Sequence, residues 1–549
     1  MITISLQEEI IATCKEVADT SEIVAVTLYG SRACGYARED SDYDLLLILD
    51  KYSEGVKYNY LTKDQLQLAI LTVDQKILEL DVEQGALGDF VSGRFLTPLI
   101  PILNQDYIHK IEIDIKKRFV EEDLKDLVIE YGDLSRVLII HPEYLVLARM
   151  EKRARAYPPL RYSYINMLRK DLRKENMQII LTGYFKALED VQNSFLIKFD
   201  GEKIILTNEF VDKILSYNIR DKVVNFVNLR KSTLQSYFTH GKAGKVSLAI
   251  IAKELSSKLK REFQIAFNKQ EIEDPRNYLF LKTETGMISL NKQDSIIKTL
   301  KKIKGNMAFE VKPLTGALNE VHLVTVKGEK LIVKKFTDWF NFKWFILNAA
   351  VYGTKIFTLS GKARLSNEYV TNQLLFENGI PIPEIVSISL EERLLVERFI
   401  PGKLASEIVT EAFNTDLLKI EYKSHAFEIG KLLAKIHNLN ITLGDCKPEN
   451  FIFNEAGKLY VLDLEQGERF GDKKWDIAEF LYFSGHFGIT LTGGFQQFVS
   501  EFIKGYSTLG EKQVLIKAAG FHYTRLFLAW TPLPILRGIS KMLRNSDTL

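Results

Sequence analysis

The chain is poor in the residues that staple or metallate small folds. Among 549 residues there are 3 cysteines and 8 histidines. Cys14, Cys34 and Cys446 make no CxxC pair, so no disulfide framework is expected and a reducing, cytoplasmic setting is. HExxH is absent, so a histidine-built zinc site is not expected, and any metal should sit on carboxylates, as Mg2+ does. Long apolar runs are missing as well. The most apolar stretches, Phe345–Leu359 and Leu526–Leu536, are too short to cross a bilayer and read as buried core. Met1-Ile2-Thr3-Ile4-Ser5 is not a basic segment leading into an apolar run, so neither a secretory leader nor a membrane partner is expected.

Net charge is small too, at +2, but this total hides a division. Residues 1–110 hold 9 basic and 18 acidic residues, 111–304 hold 36 and 26, and 305–549 hold 28 and 27. An acidic, a basic and a neutral block imply three parts with different work. The length agrees, since a domain averages about 150 residues.

Ser5–Asp19 has helical spacing, and Ile23–Leu28, Leu45–Leu49 and Gln67–Val73 read as buried strands. Glu79–Phe95 reads as a helix, and Pro98 and Pro101 mark an exit. Residues 111–305 read as mostly helical, with a hairpin over Phe195–Thr207 turning at Asp200-Gly201, so that 180–210 has the order of a winged helix. The lysine-rich Lys298–Lys304 and Gly305 form a linker. Beyond it, Val321–Val326, Lys330–Val333, Ile385–Ile388 and Leu394–Glu397 read as strands, Leu365–Phe376 as a helix, and helices follow from Ala405. The expected architecture is α+β and multidomain: 1–110, a helical middle at 111–305, and a bilobal part at 306–400 and 401–549.

Two constellations carry chemistry. In the first, Leu28-Tyr29-Gly30-Ser31 ends a strand, and Asp42-Tyr43-Asp44 opens the next after ten residues. Alternate strand residues share a face, so Asp42 and Asp44 point together, and such a pair of like charges invites a cation such as Mg2+. Gly30-Ser31 allows close backbone approach by a triphosphate. The pattern resembles the nucleotidyltransferase superfamily typified by DNA polymerase beta, especially its minimal and kanamycin-type members. The resemblance implies that Gly30 and Ser31 hold the triphosphate, and that Asp42 and Asp44 hold two Mg2+ ions for in-line attack at the α-phosphate. Such enzymes usually add a third carboxylate from a later strand. Gln67–Val73 has none, so Asp74 is the candidate, with Glu79 and Asp81 behind it.

In the second, Asp445-Cys446-Lys447-Pro448-Glu449-Asn450 precedes a strand pair that ends at Asp463. In phosphoryl transfer, such positions supply a hydroxyl-orienting base, Asp445, and two Mg2+ ligands, Asn450 and Asp463. Lys447 joins them as a further site residue. The Gly444-Asp445 pair, Asp463-Leu464-Glu465-Gln466 and Trp475-Asp476-Ile477-Ala478 resemble RIO-type, Bud32-like and aminoglycoside-phosphotransferase-like kinases. Upstream, Leu331-Ile332-Val333-Lys334 resembles the phosphate-anchoring strand, with Lys335 the alternate, and Glu368 is the expected partner of Lys334. Thr315–Glu320 resembles a reduced glycine loop carried by Gly316, and Leu395–Ile400 a hinge followed by Gly402. The resemblance implies a protein-kinase-like fold that takes ATP or another nucleoside triphosphate with Mg2+ or Mn2+.

In the middle, Glu151–Lys174 places Lys152, Arg153, Arg155, Arg161, Arg169, Lys170, Arg173 and Lys174 among Tyr157, Tyr162 and Tyr164. Cations for phosphates and rings for stacking suit RNA or single-stranded nucleic acid. An RNA or protein acceptor is the partner expected for this middle region, and Lys242–Lys260 is a second basic stretch. The expectation is a two-headed transferase: Mg-dependent nucleotidyl transfer by the first head, and γ-phosphoryl transfer to a protein or small-molecule hydroxyl by the second. The alternative is a nucleotide-sensing or RNA-binding scaffold with weak catalysis.

Overall fold

The computed structural model describes residues 3–63, 66–157, 160–216, 272–291, 310–314, 320–326, 328–338, 357–528 and 530–546. Gly316, Lys242–Lys260 and Lys298–Lys304 lie outside these residues. The chain divides into two compact units, residues 1–280 with 289–291, and residues 281–288 with 292–549.

The first unit opens with helix α1 (Ile4–Ala18), strand β1 (Glu22–Tyr29), a helical turn α2 (Gly30–Ala33), β2 (Tyr43–Asp50), β3 (Val56–Lys63) and β4 (Leu66–Asp74). Then come α3 (Gln75–Gln84), β5 (Ile100–Leu103) and α4 (Gln105–Tyr131). The sheet order is β3-β4-β2-β1-β5, with only β2 and β4 parallel. β2 is central, and its Leu45–Leu49 run is buried throughout because both faces are covered. Leu45, Leu47 and Leu49 pack with Ile10 and Cys14 of α1. Asp44, Leu46 and Ile48 alternate onto the opposite face.

Two strands depart from the sequence reading. β3 alternates polar and apolar residues on an edge, half-exposed, and gives little hydrophobic signal. β5 contains Pro101 yet pairs with β1, because an edge strand tolerates the missing N–H. The helix expected over Glu79–Phe95 instead starts at Gln75 and stops at Gln84, before Gly85 at φ +65°.

The boundary expected at 110 falls inside α4, a 27-residue helix that joins the sheet to the helices beyond it. These include α5 (Glu143–Ala156), which follows the short strand β6 (Ile139–Ile140), then α6 (Leu160–Met167) and α7 (Arg173–Asn193). α7 leads into the hairpin β7 (Ile197–Asp200) and β8 (Lys203–Leu206), turning at Gly201 as expected, and then α8 (Asn208–Ser216). β6 pairs with β8 and with the start of β9 (Leu279–Thr283), which β10 (Gly286–Ser289) follows.

The second unit has a five-stranded antiparallel sheet, β11-β12-β13-β15-β14. Its strands are β11 (Glu310–Leu314), β12 (Glu320–Val326), β13 (Glu329–Lys335), β14 (Ile385–Ser389) and β15 (Leu394–Arg398), with helix α9 (Gly361–Glu377) inserted after β13. A mostly helical part follows: β16 (Gly402–Leu404), α10 (Ala405–Phe413), α11 (Ile420–Asn438), β17 (Ile441–Thr442), β18 (Phe451–Asn454), β19 (Leu459–Val461), β20 (Glu468–Arg469) and α12 (Lys473–Ser484). α13 (Gly493–Ser507), α14 (Lys512–Ala518), α15 (Phe521–Thr524) and α16 (Leu533–Arg544) complete it. Its core gathers Ile429, Leu433, Phe451, Phe480, Phe498 and Phe502, with Phe480 and Phe502 stacked at 4.9 Å.

Helices α11 and α13 meet backbone to backbone. A Cβ on Gly430 would lie 2.1 Å from the Phe502 carbonyl oxygen, and one on Gly505 would lie 1.9 Å from that of Phe427. A methyl at either place forces the helices apart. Gly430→Ala is expected to destabilise the second unit by about 1–3 kcal/mol, the range for overpacked cores. A drop in its melting temperature checks this, and an unchanged melting curve refutes it.

Candidate functional site

In the first unit, the chain leaves β1 through Gly30 at φ +75°. A Cβ there would lie 2.2 Å from Oδ2 of Asp44. Both facts demand glycine, and the second ties the Gly-Ser turn to the carboxylate strand. Cys34 N donates to Gly30 O and Tyr36 N to Ser31 O, each at 3.0 Å, which closes the turn. Arg32 ties down the far end of the loop: its Nε donates to Ser41 O at 3.1 Å and its guanidinium lies 3.9 Å from the Tyr43 ring centre. The loop thus delivers Asp42 and Asp44 to the start of β2. From α7, Asn176 Nδ2 donates to Cys34 O at 3.0 Å, so the helices beyond residue 110 help hold this turn.

Asp44 lies opposite Tyr29 on β1 and Ala69 on β4. Asp74 is elsewhere. It pairs with Leu49 at the far end of the strand, and five residues of extended chain place it about 16 Å from Ala69. Its Oδ1 caps α3 by accepting from Lys76 N and Ile77 N at 3.0 and 3.3 Å, and its Oδ2 accepts from Tyr52 N at 2.8 Å. The proposed third metal ligand is thus corrected to a helix cap. Glu79 accepts from Gln75 Nε2 and Tyr107 OH, and buried Asp81 accepts from the amides of Leu87 and Ser92. Both are structural. Among the described residues no group of three His, Cys, Asp or Glu side chains could hold a metal.

Arg94 was missed. It comes from the turn Ser92–Leu96 to the Asp44 side of the sheet. Its Nη2 donates to Tyr58 OH at 3.1 Å, and its guanidinium lies 5.4 Å from the Tyr29 ring centre and 5.3 Å from that of Phe90. Asp44 acts electrostatically on both Arg94 and Tyr29. The available signal was that Arg94 is the lone charge between Asp89 and Asp106.

In the second unit, Lys334 on β13 donates to Glu368 of α9 at 2.9 Å and pairs with Glu397 of β15 at 3.1 Å. Lys335, the alternate, faces the other way and meets Glu320 at 3.5 Å, half-exposed. Burial opposes the charge on Lys334, but Glu368, Glu397 and Asp463 outweigh it and hold the ammonium well above its usual range. Burial pushes Glu368 up to about 8 against the pull of Lys334, and Asp463 and Glu397 add to the rise. Burial also raises Glu397 and Asp463. Three carboxylates thus surround one ammonium.

Asp463 follows β19 in the left-handed region, at φ +55°. Such a conformation is costly and persists where neighbours hold it. Here Leu464 N donates to Glu368 Oε2 at 2.6 Å. Glu465 pairs with buried Arg364 at 2.8 Å, and Gln466 Oε1 accepts from Thr358 N at 2.9 Å. On the other side of the site, Asp445 pairs with Lys447 at 2.6 Å, and Asn450 Nδ2 donates to Asp445 O at 2.8 Å. This loop hangs from α12. Asp476 accepts from Leu443 N and Gly444 N at 2.7 and 2.9 Å, Glu479 from Cys446 N at 2.7 Å, and Trp475 Nε1 donates to Gly444 O at 3.0 Å. After β15, Gly402 is required because a Cβ would lie 2.1 Å from Phe453 O.

This donor set fits Mg2+: hard oxygens from Asp463 and Asn450, in a site whose buried carboxylates exceed its ammonium groups.

Four of the eight cations of the basic stretch pair within its own unit. Lys152 pairs with Asp126 at 2.7 Å, Arg155 with Glu151, Arg169 with Asp171 at 3.0 Å, and Arg173 with Glu143 and Glu273. Arg153 fills the space that Gly93 leaves open, and Tyr164 is buried. Arg155, Arg161, Arg169, Lys170 and Lys174 are exposed.

Residues 8–88 match the family described as polymerase beta, nucleotidyltransferase, and form a domain of that kind. The chain is also distantly similar to curated proteins. A probable bifunctional tRNA threonylcarbamoyladenosine biosynthesis protein of Methanocaldococcus jannaschii is 24% identical over 155 residues, 28% of this chain and 27% of that protein. One of the same description from Methanobrevibacter smithii is 28% identical over 129 residues, 22% of each chain. The KEOPS complex subunit Bud32 of Pyrococcus abyssi is 26% identical over 92 residues, 17% of this chain and 39% of that protein. The chain spans less than half the length of each of these relatives.

Lys334→Ala strands two buried carboxylates, and is expected to destabilise the second unit by about 3–5 kcal/mol. Lys335→Ala, on a screened surface pair, is expected to cost less than about 1 kcal/mol. Denaturant unfolding of both variants checks the ranking, and equal losses would contradict it. Asp74→Ala is expected to cost about 1 kcal/mol through the lost cap and to leave metal binding by the first unit unchanged. Isothermal titration with Mn2+ would expose a role as ligand.

Proposed function

We propose that this chain is a two-headed, nucleotide-using transferase: Mg-dependent nucleotidyl transfer by residues 1–110, and γ-phosphoryl transfer to a protein or small-molecule hydroxyl by residues 306–549. The observation that carries the second half is the convergence of Lys334, Glu368 and Asp463 in one buried cluster, with Asp445, Lys447 and Asn450 on a loop braced by α12. A lone strand-end lysine is commonplace. One desolvated among three carboxylates from three separate elements suits an arrangement that anchors phosphates and holds a divalent ion.

In this reading Lys334 binds the phosphates of ATP and is kept charged by its carboxylate neighbours. Asp445 accepts a hydrogen bond from the acceptor hydroxyl and orients it, while Lys447 steadies that carboxylate and adds positive charge beside the transferred group. Asp463 and Asn450 hold Mg2+, which neutralises phosphate charge when bound. In the first head, Gly30 and Ser31 let the backbone approach the triphosphate, and Asp42 and Asp44 hold the cation. The setting is cytoplasmic. The names of the relatives, a threonylcarbamoyladenosine biosynthesis protein and a KEOPS subunit, make a tRNA-modifying assembly the first acceptor system to try, with RNA or a protein partner. One observation favours a sensing role for the first head instead: among the described residues no third carboxylate joins Asp42 and Asp44.

Parallel incubations with α- and γ-labelled NTPs, with and without RNA, separate the heads. Label from the γ position should fall at least about 100-fold in Asp445→Asn, the scale of a lost base, and persist in Asp42→Asn. Label from the α position should show the reverse. A chain whose nucleotide turnover is indifferent to both substitutions is not this enzyme.

A further inference from the structure

The first head has an electrostatic problem that its sheet register makes explicit. Residues paired across parallel strands share a face, so the place on β4 beside Asp44 belongs to Ala69. The next residues on that face are Gln67 and Leu71, and all of β4 up to Asp74 is uncharged. A methyl group therefore stands where a further metal-binding oxygen would be needed. Two carboxylates are few for two divalent ions: each ion needs a nearly complete shell of oxygens, and two cations in one site repel unless anions lie between them.

A permanent cation already stands on this face. Arg94 is mostly enclosed, with the rings of Tyr29 and Phe90 beside its guanidinium and Tyr58 accepting at Nη2. Tyr29 is the cross-strand partner of Asp44, and Tyr58 is the partner of Leu71, on the same face. The Nε of Arg94 is buried with no hydrogen-bond acceptor. A buried guanidinium donor without an acceptor is expensive, and a phosphate oxygen is one acceptor that would satisfy it. The charges match as well. A divalent ion together with the carboxylate that completes its shell contributes one net positive charge, and so does a guanidinium.

We infer that the first head holds a nucleoside triphosphate with one divalent cation, on Asp42 and Asp44, and that Arg94 takes the place of the second by donating to the phosphate oxygens. This rests on the proposed nucleotidyltransferase reading and sets its metal count. A guanidinium suits the place because it stays charged at any working pH and presents forked donors to phosphate. Tyr58 and the ring faces of Tyr29 and Phe90 fix its plane, so little freedom is lost when the nucleotide arrives.

The test counts ions on the full chain. Asp463→Asn first removes a metal ligand from the second head. Mn2+ binding is then measured by electron paramagnetic resonance with saturating α,β-methylene triphosphate, with and without the additional change Asp42→Asn. The difference is the number of ions the first head holds. One ion is expected, and two would overturn the inference while leaving the nucleotidyltransferase reading intact. No ion and no analogue bound at this head would overturn both. On the same background, Arg94→Met should weaken the analogue by roughly 10-fold or more, as loss of a charged hydrogen bond does, with Arg94→Lys recovering part of it and the ion count unchanged. Equal affinity in the Met variant, with an unaltered melting curve, would remove Arg94 from the site.

Discussion

The second unit is organised around one ammonium that does not have enough charge for its neighbours. Lys334 stands among Glu368, Glu397 and Asp463, all largely withdrawn from water. Each carboxylate comes from a different element: α9, β15 and the segment after β19. A buried charge must be paired, so α9 and β15 are held at hydrogen-bonding distance from one side chain, with Asp463 acting on it electrostatically. The same demand accounts for the local backbone. Glu368 takes one hydrogen bond from Lys334 and another from Leu464 N, and so sustains the left-handed Asp463 beside it.

The first unit meets the complementary constraint through sterics. Gly30 and Asp44 approach so closely that a single added carbon would collide with the carboxylate. Turn and strand therefore act as one object, and Asn176 of α7 braces it from a part of the chain that composition alone sets apart. The acidic block and much of the basic block thus share one unit, in which Lys152, Arg155, Arg169 and Arg173 pair with nearby carboxylates.

What could be read from the sequence was whatever depended on short spacing. Ten residues separate Gly30-Ser31 from the Asp42 and Asp44 pair, and Asp445 lies five before Asn450, so short-range geometry carries the pattern. Buried strands such as β2 announced themselves by uninterrupted leucine and isoleucine. β3 did not, because an edge strand with a wetted face has no such run. Asp74 was misread for a related reason. Its position at the end of an apolar strand suits a metal ligand and a helix cap equally, and only the register of β4 against β2 distinguishes them.

The sequence by itself determined the short-range patterns, Gly30-Ser31 with Asp42 and Asp44 and Asp445 with Asn450, because spacing along a strand or tight loop sets which side chains share a face. The tertiary structure decided the partnerships. That Lys334 and not Lys335 enters the carboxylate cluster depends on which strand face meets α9. That Arg94 reaches the face of Asp44 depends on a turn fifty residues further along the chain. That Lys152 and Arg173 meet carboxylates of other elements depends on how the α4, α5 and α7 helices pack. Long-range electrostatic pairing is a property of distances in space, and charge composition along a chain does not encode those distances.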